Sequence, residues 1–210
     1  MKKSVILFLC CVNVAFAYPA FKGSISPVPR YVQKKMRGVT MRENCPIGFN
    51  QLSYVRISFL DFNHRTHRGA LIVNRRLAKQ VLSMFRKLYY HRFPMRSVRP
   101  MYEFNGNDHA SMEANNTSAF NCRKIGTSRR FSKHSYGEAI DINPLLNPYI
   151  RGQYVAPEGA RAFISRSSYH PGKITRKSYV YKLFREYRWS WGGNWRYSKD
   201  YQHFEKNDRG

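Results

Sequence analysis

Hydrophobic residues recur along this chain with two periods. From Ser53 to Phe59, Val55, Ile57 and Phe59 alternate with Tyr54, Arg56 and Ser58, the period of a half-buried strand. Leu77, Val81, Met84, Phe85 and Leu88 then fall at three- and four-residue steps, which predicts a helix from about Arg75 to Tyr90 with those side chains in the core. Pro94 and Pro100 bracket a short segment, and 105–116 is polar and reads as a loop. Thr117 to Arg123 alternates again, with Ser118, Phe120 and Cys122 on one face and Ala119, Asn121 and Arg123 on the other. Glu138 to Asn143 is a third strand, setting Ile140 and Ile142 against Ala139, Asp141 and Asn143, and Pro144 and Pro148 end it. Tyr179, Leu183, Phe184 and Tyr187 predict a second helix, and Gly192-Gly193 turns the chain into its last segment. Strands and helices come in mixed order without regular strand–helix–strand units, so the predicted class is α+β.

The first seventeen residues break this pattern. Lys2 and Lys3 precede an apolar run from Val5 to Phe16, and Ala15-Phe16-Ala17 has the small-residue spacing of a cleavage site, so 1–17 reads as an export signal. The run is shorter than the roughly 20 apolar residues that span a bilayer and is broken by Asn13, which argues against a transmembrane anchor. Residues 18–50, with Pro27 and Pro29 breaking any regular element, read as an N-terminal arm, and 51–210 as one domain of a size that buries a real core. Export to the periplasm or the extracellular space makes a Cys45–Cys122 bridge possible, with two unpaired thiols as the alternative. The formal charge of +25 calls for an anionic neighbour, which for an exported protein is a cell-wall polymer, an acidic lipid headgroup or extracellular nucleic acid. The lysines and arginines are scattered rather than blocked and no nucleic-acid motif is present, which argues against a specific nucleic-acid partner.

The chemistry concentrates in Ser132-Lys133-His134-Ser135-Tyr136-Gly137-Glu138-Ala139-Ile140-Asp141. A strand that buries Ile140 and Ile142 aims Asp141 the other way, where a turn at Gly137 also returns His134. Imidazole nitrogen and carboxylate oxygen both suit Zn²⁺, so one turn supplies two ligands. His203, in Asp200-Tyr201-Gln202-His203, is the candidate third. A catalytic zinc site takes three protein ligands and keeps a position open for water, and Asp200 sits close enough in sequence to act on that water as a base.

Ser132-x-His134-x-x-Gly137-x-Ala139-x-Asp141 followed by Asp200-x-x-His203 resembles the paired signature of the zinc D-alanyl-D-alanine peptidase family, which includes carboxypeptidases and L-alanyl-D-glutamate endopeptidases. Asn116 to Arg123 resembles the family segment carrying an arginine that steadies the tetrahedral intermediate, and Trp189-Ser190-Trp191-Gly192-Gly193 its approach to the last motif. The resemblance covers roughly Leu52 to Glu205. It implies a single domain with a small, mostly antiparallel sheet and flanking helices, as in the D,D-peptidase and Hedgehog folds. It further implies one Zn²⁺ per chain on His134, Asp141 and His203, Asp200 as general base, Arg123 at the oxyanion, Ser132 touching substrate, and peptidoglycan stem peptides as substrate. Many family members carry glutamate where this chain has Asp200, and the endopeptidase-like branch commonly carries aspartate.

Other residues read more plainly. His64-Arg65-Thr66-His67 has a metal-like spacing but basic neighbours, and is taken as a solvated loop. His91, His109 and His170 read as surface or helix-end residues, and Trp189, Trp191 and Trp195 as packing beside the glycine turn. Glu138 and Glu205 flank the ligands, where they can orient an imidazole. The alternative to a zinc peptidase is a non-catalytic zinc-containing module that binds the wall or a partner; Asp200 argues against it, because a pure binder needs no base.

Overall fold

The computed structural model describes residues 19–206; the export signal proposed for 1–17 lies outside them. The elements run β1 (Ser24–Pro27), α1 (Arg30–Met36), β2 (Leu52–Leu60), β3 (Thr66–Asn74), α2 (Ala78–Tyr90), β4 (Ser97–Val98), α3 (Asp108–Glu113), β5 (Asn116–Thr117), β6 (Ala139–Asp141), β7 (Tyr149–Arg151), β8 (Tyr154–Ala156), α4 (Tyr179–Glu186), β9 (Trp189–Trp191), β10 (Lys199–Asp200) and β11 (His203–Lys206). The class is α+β. The strands divide among three antiparallel sheets, ordered β1-β2-β3, β10-β7-β8 and β6-β11-β9, with β4 and β5 as a parallel pair. Several small sheets form in place of one because the strands after β3 are cut short: β6 ends two residues before Asn143, whose φ of 46° is left-handed, and Pro144 follows.

The β2–β3 hairpin is buried on both faces, not on one. Val55, Ile57, Phe59, Leu71 and Val73 face a core shared with α2, α4, β6, β9 and β11, while Leu52, Tyr54, Ala70 and Ile72 face a second cluster with Val32 and Met36 of α1, Phe120 and Cys122. The first core runs in sequence from Val55 to Phe204, which makes the described residues one domain. The second cluster also explains why β3 is silent in the sequence. Its Ala70-Leu71-Ile72-Val73 run is apolar on both sides and shows no alternation. Residues 19–50 supply part of that cover. β1 pairs with β2, Tyr89 Oη donates to the Pro19 carbonyl at 2.6 Å, and the Lys22 amide donates to Ser58 Oγ at 3.0 Å.

Three further expectations change. The polar 105–116 stretch contains α3, started by Asn107, whose side chain accepts from the Ala110 amide. Beyond β5, residues 118–123 are extended but form no continuous strand, because their amides go to different neighbours: Ser118 to Asp141, Phe120 to Ile72, Asn121 to His134 and Cys122 to Thr40. His67 is not in a solvated loop either; it lies on β3 with Nε2 2.7 Å from the Asp61 carboxylate.

Cys45 and Cys122 form a disulfide across 77 residues, joining the segment that follows α1 to the wall that carries Arg123. Closing a loop of that length removes denatured-chain freedom worth about 4 kcal/mol on the chain-entropy account. Replacing both cysteines by serine is therefore expected to lower unfolding free energy by about 4 kcal/mol in urea titration, and an unchanged midpoint with an unchanged slope would refute it.

Candidate metal centre

Three elements deliver the ligands. Ser132 accepts from the His134 amide at 3.3 Å and so starts the short 3₁₀ turn Lys133–Tyr136. Gly137 ends that turn at φ 64°, and a Cβ there would meet the Asn74 amide nitrogen at 2.5 Å, so both the conformation and the space demand glycine. The chain then enters β6, whose Ile140 packs in the main core while Asp141 points to the other side. β11 runs antiparallel to β6 with His203 directly opposite Asp141 and Phe204 opposite Ile140. One register thus buries an apolar pair on one face and aligns two polar donors on the other.

His134, Asp141 and His203 each offer one ligand atom, and these atoms lie within 4.8 Å of one another. Asp141 Oδ2 is 3.1 Å from His134 Nε2, and Asp141 Oδ1 is 3.0 Å from His203 Nδ1. The two ring nitrogens that face the group are 3.2 Å apart. The remaining nitrogen of each imidazole is engaged behind it. His134 Nδ1 lies 2.5 Å from the Ala119 carbonyl, which only accepts, so Nδ1 carries the hydrogen and Nε2 presents its lone pair. His203 Nε2 lies 3.1 Å from the Glu205 carboxylate, which leaves Nδ1 to face the group. Ser118 and Asp141 exchange backbone hydrogen bonds at 3.0 and 2.9 Å, so the Ser118-Ala119 dipeptide anchors both Asp141 and His134.

The charge balance suits a cation. Asp141, Asp200 and Glu205 all stand close to His203. Burial alone would lower the His203 pKa, but its bonds to Asp141 and Glu205 outweigh burial and push it up to about 10. Burial alone would raise Asp141; attraction and hydrogen bonds from His134 and His203 hold it well below the usual carboxylate range. Burial pushes Asp200 up to about 7, against the pull of His203, with Asp141 adding to the rise. A site that gathers this much negative charge around two oriented imidazoles fits a divalent cation in its donor set and in the engagement of every ligand.

The group opens into a cleft of about 1150 Å³ that Arg123, Ser132 and Asp200 also line. Asp200 Oδ1 is buried with no hydrogen-bond partner. Its backbone packs against Gly192, where a Cβ would meet the Asp200 Cβ and carbonyl oxygen at 2.7 Å. Arg123 is paired with Asp108 on the cleft wall, and its amide donates to Ser135 Oγ at 2.9 Å. Of the two flanking glutamates, Glu205 orients an imidazole; Glu138 does not, because Arg76 at 2.6 Å and Lys133 at 2.9 Å hold it. Trp189 and Trp191 are core residues, whereas Trp195 lies 5.3 Å from the His203 ring and lines the cleft with Tyr149 and Tyr154. The two tyrosines went unread in the sequence, although the turn at Gly152 between them is a hairpin signal. Ala119 carries no such signal, since it acts through its backbone.

Glu205→Gln is expected to weaken divalent-cation binding about 10- to 100-fold, measured by competition with a chromogenic chelator, while Glu138→Gln leaves it unchanged. Equal effects of the two substitutions would refute the assignment of Glu205.

Comparison with known proteins adds an independent finding. No curated protein and no solved structure matches the chain. Residues 126–206 match the family model described as D-alanyl-D-alanine carboxypeptidase; Arg123 lies just ahead of that stretch. That stretch carries all three convergent donors and Asp200, and over it the chain is similar to the D-alanyl-D-alanine carboxypeptidase family.

Proposed function

We propose that the protein is an exported zinc-dependent peptidase that hydrolyses amide bonds in the stem peptides of peptidoglycan, with one Zn²⁺ held by His134, Asp141 and His203. One observation carries this reading above the others: Asp200, whose Oδ1 is buried without a hydrogen-bond partner, shares a cleft with two imidazoles and a carboxylate that converge within 4.8 Å. A module that only held a cation and a partner would gain nothing from burying Asp200 there, and such burial is costly.

Bound in this place, zinc supplies Lewis acidity to a scissile carbonyl and to a water. The protein's own residues supply the rest. Asp200, with a pKa lifted towards 7 by burial, takes a proton from the attacking water and hands it to the leaving amine. Arg123, held on the wall by Asp108, turns its remaining N–H donors to the oxygen on which negative charge develops. Ser132 sets the His134 turn and presents the rim to the peptide backbone. Trp195 covers the His203 ring and keeps bulk water from that side. The strongly basic chain draws the enzyme to the anionic wall, and the proposed 1–17 signal takes it there. No helix of the described residues is long and apolar enough to cross a membrane.

Asp200→Ala is expected to retain bound zinc and to lose at least about 100-fold in turnover, whereas His203→Ala loses both. Metal content by mass spectrometry and hydrolysis of defined muropeptides read the two separately, and the products identify the bond. Hydrolysis that persists after complete chelation would end this account.

A further inference from the structure

The cleft continues beyond the metal-binding group. Arg123, Arg129 and Phe131 line it and also line a second hollow of about 890 Å³, whose other walls include Arg42, Glu43 and Lys124. The shared wall is a hairpin in which Lys124 bridges Phe131 and the Ile125 amide donates to the Arg130 carbonyl at 2.9 Å. Between residues 123 and 133 the sequence has lysine or arginine at 123, 124, 129, 130 and 133 and no acidic residue. Arg123 is neutralised by Asp108 and Lys133 by Glu138. Lys124, Arg129 and Arg42 make no ion pair among the described residues; the Arg42 Nε donates only to the Val39 carbonyl, at 3.3 Å. Glu43 is the only acid in the lining and offsets one of these cations.

We propose that this second hollow is a subsite for a carboxylate that a peptide substrate carries on a residue away from the scissile bond, an inference that rests on the peptidase reading of the cleft. Cations on one concave wall add their fields at its centre, and an incoming carboxylate satisfies donors that now face only water. Phe131 supplies an apolar floor for the methylenes that carry the acid. The occupant is a peptide group and not a long polyanion, because the hollow is joined to the cleft through a common wall: a chain lying over His134 and His203 passes Arg123 and Arg129 on its way out. A phosphate polymer is served as well by the basic residues scattered elsewhere on the surface.

The test uses the full protein at about 0.15 M salt, where exposed charges more than about 8 Å apart are largely screened. Two synthetic stem peptides are compared, identical except that the distal side-chain carboxylate of one is a carboxamide in the other. Affinity is read by fluorescence anisotropy and turnover by product analysis. The native protein is expected to bind the carboxylate peptide about tenfold more tightly, the sum of a few partly exposed charge pairs. In the double variant Lys124→Gln, Arg129→Gln that ratio falls towards one, and in Glu43→Gln it rises. Equal affinities for the two peptides in the native protein overturn the subsite, as does a ratio that the double variant leaves intact. A polyglycerol phosphate that binds more tightly than the carboxylate peptide, and loses its binding in the same double variant, also overturns it by assigning the hollow to wall polymer. Binding that follows the expected ratios without any turnover supports the subsite and removes the peptidase reading instead.

Discussion

The antiparallel pairing of β6 with β11 sets His203 across from Asp141 and, one step along, Phe204 across from Ile140. Strand side chains alternate with a period of two, so a slip by one residue would drive the histidine into the core and lift the phenylalanine into the cleft. The apolar pair therefore holds the polar pair in place: Phe204 and Ile140 are fully buried, stacked into a core with Phe184 and Trp191. Most of the remaining geometry follows from this lock. Ser118 attaches to the free side of Asp141, Ala119 then meets His134, and the Gly137 turn closes the circuit back to β6.

Burial acts differently on the members of this cluster: at Asp141 and His203 mutual attraction and hydrogen bonds outweigh the loss of hydration, whereas at Asp200 they do not. The compensation lies in the surrounding core and in the Cys45–Cys122 bridge, which fixes the wall bearing Arg123 from outside the cluster. Local conflict at a site and consistency elsewhere is the ordinary signature of a functional centre.

How much of this was legible in the sequence depends on whether side chains or backbone carry the information. The convergence of His134, Asp141 and His203 was legible because groups able to hold a metal belong to few residue types and their spacing on a turn and a strand is restrictive. The helix α2 was legible from Leu77, Val81, Met84, Phe85 and Leu88, which pack on a single side. β3 was not, since a strand buried on both faces loses its alternation, and β10 has only two residues. The 118–123 segment looked like a strand from its alternating residue types, yet Ser118 to Cys122 are all buried and their amides are shared among four neighbours, and no pattern in a single segment encodes that. Glu138 and Glu205 looked equivalent from either side of the motif; only the fold shows that Arg76 claims one of them.

Gly192 shows how a residue without a side chain can report on chemistry elsewhere. Its α-carbon lies so close to Asp200 that any larger residue at 192 would have to displace the carboxyl-bearing backbone. A methyl group at 192 would thus be felt at the Asp200 backbone, although it brings no polar atom and touches none of the convergent donors.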